Sequence, residues 1–103
     1  MPLTYAILLE LDRARLGEHY PHRHGAEPYR DIGEFLAERG FTCSEGIYWG
    51  DPERIDEVTC VLTVQDLARA FPWFGPCVHS VKLLRLAGQA DLMAAVASAL
   101  SWS

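Results

Sequence analysis

Long apolar runs are missing from this 103-residue sequence: none is long enough to cross a bilayer, and nothing after Met1 has the layout of a secretory signal. Cysteine is sparse and scattered. Cys43, Cys60 and Cys77 are odd in number and contain no CxxC pair, which excludes a zinc ribbon or a disulfide framework and leaves free thiols, as expected in the cytoplasm. Positive charge is also short. A formal net charge of -5 argues against broad attraction to nucleic acid or anionic lipid, so any RNA contact has to be local. No solenoid-length repeat and no divided linker is visible, so residues 1–103 are expected to form one domain. What is present is apolar: 50% of the residues are hydrophobic, which excludes global disorder and suffices for a core.

The organising stretch is Thr4 to Asp12, TYAILLELD. Its alternation puts Tyr5, Ile7, Leu9 and Leu11 on one face of a strand and Thr4, Ala6, Leu8 and Glu10 on the other. Both faces are apolar except at Glu10, and a strand apolar on both faces is normally covered on both. Glu10 therefore stands at the lip of a covered surface, where lost hydration has to be offset by hydrogen bonds, a cation, a metal or a proton.

The next segment, ARLGEHYPHRHGAEP, reads as a long loop or broken helix and carries His19, His22 and His24 as solvated side chains. Pro28 opens a helix through YRDIGEFLAER, which turns Tyr29, Ile32, Phe35, Leu36 and the Arg39 stem to one side and stops at Gly40. Gly33 inside it is expected to mark close packing on the sheet. FTCSEGIYW reads as a bent or bulged strand, or as two short ones, and GDPERIDE as a turn whose acidic end suits the head of a helix. VTCVLTVQDLARAF fits a strand to about Val64 by alternation and a helix by its wider apolar spacing; the residues alone divide it between the two. FPWFGP ends it with an aromatic pair plugging the core edge. VHSVKLLRL is a further strand, with Ser80, Lys82, Leu84 and Leu86 on one face and His79, Val81, Leu83 and Arg85 on the other. Residues 91–100 are helical, with a narrow apolar stripe that should dock on the body or on a partner.

TYAILLELD, PYRDI with the helix running into RGF, IYWGD, VTCVLTVQDLARAFPWF, VKLLRL and ADL together, in order and over nearly the whole chain, resemble the VapD family of virulence-associated protein D, relatives of the CRISPR-associated Cas2 proteins. The resemblance implies an α/β (α+β) fold of ferredoxin-like βαββαβ type with a C-terminal helix. It also implies a homodimer, endoribonuclease activity as the toxin of a toxin-antitoxin pair with a small antitoxin protein as partner, and helix for most of residues 57–71. A dimer would cover the second face of the sheet.

Carried over residue by residue, the acidic position of the family's YAIxFDLD strand falls on Glu10, and the following one is kept as Asp12. The family's GSVY pattern corresponds to EGIYWGD, where its Ser is deleted or replaced by Gly46. The acidic residue of VRDIRxLR falls on Ser80. The expected catalytic residues are thus Glu10, Asp12 and Tyr48, with Lys82 and Arg85 binding RNA. A carboxylate would act as base or hold a metal that activates water. Magnesium is the cofactor such chemistry would take, and the loss of an acid at Ser80 weakens a metal site more than a metal-free one. Two Glu10 side chains meeting at the dimer axis would raise one of their pKa values and keep a proton available.

Overall fold

In the computed structural model, which describes residues 3–21, 25–87 and 92–101, the opening segment forms β1 (Thr4–Leu11). It is followed by α1 (Arg13–His19), α2 (Pro28–Ala37), β2 (Phe41–Ser44), β3 (Ile47–Gly50), α3 (Glu57–Ala70), α4 (Phe74–Cys77), β4 (Val78–Leu86) and α5 (Met93–Ser101). The four strands form one antiparallel sheet in the order β2-β3-β1-β4, with α2 and α3 as the crossovers. This is the ferredoxin-like α+β arrangement, and it leaves β1 in the interior of the sheet.

Local chemistry fixes the element ends. Glu27 caps α2 by accepting the N–H groups of Tyr29 at 3.1 Å and Arg30 at 2.6 Å, Pro28 fills the first turn, and Gly40 takes the left-handed conformation (φ 94°) past its end. Asp56 caps α3 by accepting both the N–H and the hydroxyl of Thr59 at 2.7 Å. These bonds hold the Asp56 carboxyl below its usual range, and the positive head of α3 suits the acid. Between β2 and β3 the tip residues Glu45 (φ 53°) and Gly46 (φ 80°) are both left-handed, the requirement of a two-residue hairpin, so FTCSEGIYW is two short strands.

The core lies between the sheet and the helices. Ile7 and Leu9 meet Ile32 and Leu36 of α2, Leu67 of α3 and Phe74 and Cys77 of α4. Each such large side chain contributes about 1.5–3 kcal/mol on full burial. FPWF closes one end as expected: Trp73 and Phe74 are buried, and the Tyr20 ring meets Trp73 edge-on at 4.8 Å while its hydroxyl donates to Asp31 at 2.5 Å. Phe71 extends this aromatic run to Phe35 (5.7 Å), over which the Arg39 guanidinium stacks at 3.7 Å.

The two faces of β1 differ as the alternation predicts. Tyr5, Ile7, Leu9 and Leu11 look toward the helices. The opposite face joins Ala6, Leu8 and Glu10 to Ile47 and Trp49 of β3 and to Ser80, Lys82 and Leu84 of β4. Ala6 is sealed between Trp49 and Leu84, but Leu8, Ile47, Trp49, Leu84 and Leu86 stay partly exposed. Within one chain only the first face is packed.

Three open alternatives are resolved, and one expectation changes. The first half of the polar segment is the helix α1, because Asp12 caps it, accepting the Arg15 N–H at 3.1 Å, and Leu16 packs on the core. His22 and His24 lie outside the described residues. The 57–70 stretch is helix throughout, as the resemblance implies and strand alternation does not: Cys60, Thr63 and Leu67 are its buried line at helical spacing. The stripe of α5 does not dock on the body, since residues 92–100 are all exposed. Finally, β4 does not alternate simply: Glu10 pairs with Ser80 and Leu11 with Val78, so His79 is an extra residue forming a bulge.

Candidate active site

The end of β1 gathers the expected acidic residues. Glu10 is exposed on the open face, directly opposite Ser80 across the β1–β4 pair. Lys82, opposite Leu8, is the next residue along β4 on the same face, roughly 7 Å from Ser80. Asp12 follows at the turn into α1. Its N–H donates to the Cys77 carbonyl at 2.7 Å and one carboxylate oxygen caps α1, so this acid holds the strand end to α4 and α1.

Tyr48 and Arg85 fall on the other side of the sheet. Tyr48, opposite Ile7, is buried against α2, where Gly33 faces its ring. Burial, reinforced by the neighbouring ionisable groups of Cys43, Tyr29 and Glu27, pushes its phenol up to about 12. At neutral pH it is therefore a hydrogen-bond donor and not a base. It borders a groove of about 820 Å³ between α2 and the β2–β3 hairpin, rimmed by Glu27, Tyr29, Arg30 and Glu34. Arg85 sits opposite Tyr5, five residues along β4 from Ser80 and so roughly 17 Å away, and it forms an ion pair with Glu57 at the head of α3. Within one chain, Glu10 and Lys82 share a face, Asp12 adjoins them, and Tyr48 and Arg85 are separated from them by the sheet.

Sequence reading missed a residue at this corner. Tyr29, placed by its spacing on the packing side of α2, is 44% exposed, and its hydroxyl accepts the Leu11 N–H at 3.2 Å. It stands between the groove and the strand end that carries Glu10. The signal was its position in the first turn after Pro28, whose helix head points at the end of β1.

A carboxylate, an ammonium group and a hydroxyl on one open surface suit proton transfer beside a phosphate, with the cation offsetting charge that builds on oxygen. Magnesium asks for six oxygens in near-octahedral array. At this corner a single chain offers it Glu10 opposite a Ser80 hydroxyl, and among the described residues no three His, Cys, Asp or Glu side chains gather in a metal-holding group. The donor set of one chain does not fit that ion. No helix among the described residues is long and apolar enough to cross a membrane.

No protein-family model matches the chain. Two curated proteins match it over nearly their full length. It is 40% identical over 92 residues to "Endoribonuclease VapD 2" of Riemerella anatipestifer, covering 89% of this chain and 98% of that protein. It is also 40% identical over 93 residues to "Endoribonuclease VapD homolog" of Helicobacter pylori, covering 89% of this chain and 95% of that one. With the order of its strands and helices matching what the motifs imply, and identity at this level spanning nearly all of both relatives, the chain belongs to the VapD family.

Proposed function

We propose that this chain is an endoribonuclease that works as a homodimer, cleaving RNA phosphodiester bonds at the Glu10 corner, and that it serves as the toxin of a toxin-antitoxin pair restrained by a small antitoxin protein. The observation that carries the reading is the position of Glu10: it is exposed at the end of an apolar sheet face whose members Leu8, Trp49 and Leu84 are left partly bare. A second copy laid on that face removes the apolar surface from water and brings two Glu10 carboxylates toward a common cleft. The names of both relatives support the RNA-cleaving activity.

In this reading Glu10 takes the proton from the attacking oxygen and Lys82 neutralises the phosphate. Asp12 fixes the strand end. On the helix side of the sheet, Tyr48 serves the RNA as a donor from the groove, and Arg85, away from the groove on β4, serves it by exchanging Glu57 for phosphate.

The test incubates the protein and its Glu10→Gln variant with mixed RNA, with magnesium or with chelator. Wild-type cleavage in both media, lost in the variant, is expected. Leu84→Glu, which puts a charge into the bare face, is expected to shift the sedimenting species from dimer to monomer. Equal cleavage by wild type and Glu10→Gln would sink the mechanism.

One observation favours a second reading, a noncatalytic dimer that binds RNA or a partner protein: Glu10 faces Ser80 where the family pattern has an acid. A tight dimer that leaves RNA intact in both media is the outcome that selects it.

A further inference from the structure

The bulge in β4 places a histidine at the Glu10 corner that simple alternation assigns to the opposite face. Val78 and Val81 both pack against the core, and they are three positions apart, so the two residues between them, His79 and Ser80, both turn away from the helix layer. Ser80 lies directly opposite Glu10, while His79 has no partner in β1; it is exposed, and its side chain makes no hydrogen bond or ion pair with the described residues. Directly opposed residues hold their Cβ atoms about 4.5–5.5 Å apart, so Glu10 adjoins Ser80, and His79 is the next residue along β4. Bulges re-aim side chains and recur beside active sites. The ladder resumes immediately past it, with the Asp12 N–H on the Cys77 carbonyl at 2.7 Å, so the extra residue is held from both ends.

We infer that His79 is the general acid of the reaction, paired with Glu10 as base, and that cleavage is a transesterification needing no metal. The inference rests on the nuclease reading above and adds the acid, the nucleophile and the products. The RNA 2′-hydroxyl gives its proton to the Glu10 carboxylate while its oxygen bonds to the adjacent phosphorus. The bond from phosphorus to the 5′ oxygen breaks, the electron pair stays on that oxygen, and the His79 imidazolium supplies its proton. The products carry a 2′,3′-cyclic phosphate and a free 5′-hydroxyl; Glu10 ends protonated and His79 neutral, and exchange with water restores both. Lys82, two residues from Ser80 on the same face, lies where it meets the phosphate oxygens that gain charge. Histidine is suited to the acid role because its charge changes within the physiological pH range. The ionisable groups that share its end of the sheet are Glu10 from β1, Lys82 from β4, and Asp12 at the turn after β1.

The experiment cleaves a defined oligoribonucleotide in chelator, and in a parallel run with magnesium, with wild type, Glu10→Gln, His79→Gln and His79→Arg, reading product ends and the pH profile of kcat/KM. Because His79 is exposed, both variants are expected to keep the wild-type circular dichroism and melting temperature, which are measured alongside. Wild type should yield cyclic-phosphate ends and a profile that falls on both the acid and the alkaline side. Both His79 variants should lose about 10²- to 10⁴-fold in kcat/KM and their alkaline limb. His79→Arg keeps a positive charge that cannot leave, so its failure separates proton donation from attraction to phosphate. Cleavage that depends on Glu10 but leaves 3′-hydroxyl and 5′-phosphate ends, or an alkaline limb that survives in His79→Gln, overturns this inference and spares the nuclease reading. Failure of wild type to cleave in either medium overturns both.

Discussion

The Tyr29 hydroxyl accepts the backbone N–H of Leu11 at 3.2 Å, tying the head of α2 to the end of β1 one residue beyond Glu10. Tyr29→Phe removes that acceptor and leaves the N–H to water. A net loss of about 0.5–1.5 kcal/mol is expected, seen as a lower urea midpoint at unchanged m-value. Turnover on RNA should fall further than stability does, by about tenfold, because a small shift of the strand end moves Glu10 out of line. A variant equally active at saturating RNA would show that the bond fixes the fold and not the site.

Tyr48 gives the protein an alkaline signature. Its phenol is raised to about 12, against 10.0 for the free group, so the folded state holds this proton more tightly than the unfolded chain does. Its contribution to stability is fully present below pH 10, and it is lost as the pH climbs from 10 toward 12. Ultraviolet titration of the tyrosines should show a component near pH 12 that disappears in Tyr48→Phe. A titration identical in the two proteins would contradict the burial described for this side chain.

Two glycines at first sight alike should respond in opposite directions. At Gly33, in the middle of α2, an added Cβ would meet the Tyr48 ring only at 4.0 Å, an ordinary contact. Gly33→Ala is therefore expected to stabilise by about 0.8–1 kcal/mol through helix propensity. At Gly50 the same atom would come within 2.7 Å of an Ile55 methyl and 2.9 Å of the Tyr5 carbonyl oxygen, and backbone cannot step aside. Gly50→Ala should cost about 1–3 kcal/mol. Urea denaturation of the two variants decides both signs.

That contrast also marks how far the sequence could be read. Alternation in TYAILLELD named the core face of β1 correctly, because a period of two is unambiguous where one face is wholly apolar; Glu10, expected at the lip of a covered surface, is exposed, because within one chain the second face of the sheet is not covered. The close approach was expected at Gly33 and occurs at Gly50, since it depends on which loop folds back: Ile55 comes from the segment after β3, and local spacing carries no trace of it. Residues 57–70 look half like a strand because Val and Thr are dense there. The helix forms because Asp56 caps it and Cys60, Thr63 and Leu67 find the sheet. At the site, the resemblance named Glu10, Asp12, Tyr48, Lys82 and Arg85 together, and the sheet puts only Glu10 and Lys82 on one face, with Asp12 next to Glu10's end of the strand. Tyr48 and Arg85 emerge on the far side because cross-strand register, set by the β1–β3 and β1–β4 pairings, decides which face each takes. The bulge at His79 was invisible for the same reason, as an extra residue shows only against its partner strand.

β4 has β1 on one side and, among the described residues, no strand on the other, so nine residues of backbone form an outer margin. Its exposed side chains are His79, Lys82 and Arg85, one every third position, which distributes polar and cationic groups over both surfaces of that margin. A third strand trying to dock there would have to strip water from a cation whichever way up it arrived. The residues assigned above to RNA thus also limit sheet-to-sheet growth, and neutralising them together should turn a well-behaved protein into one that assembles into fibres or precipitates.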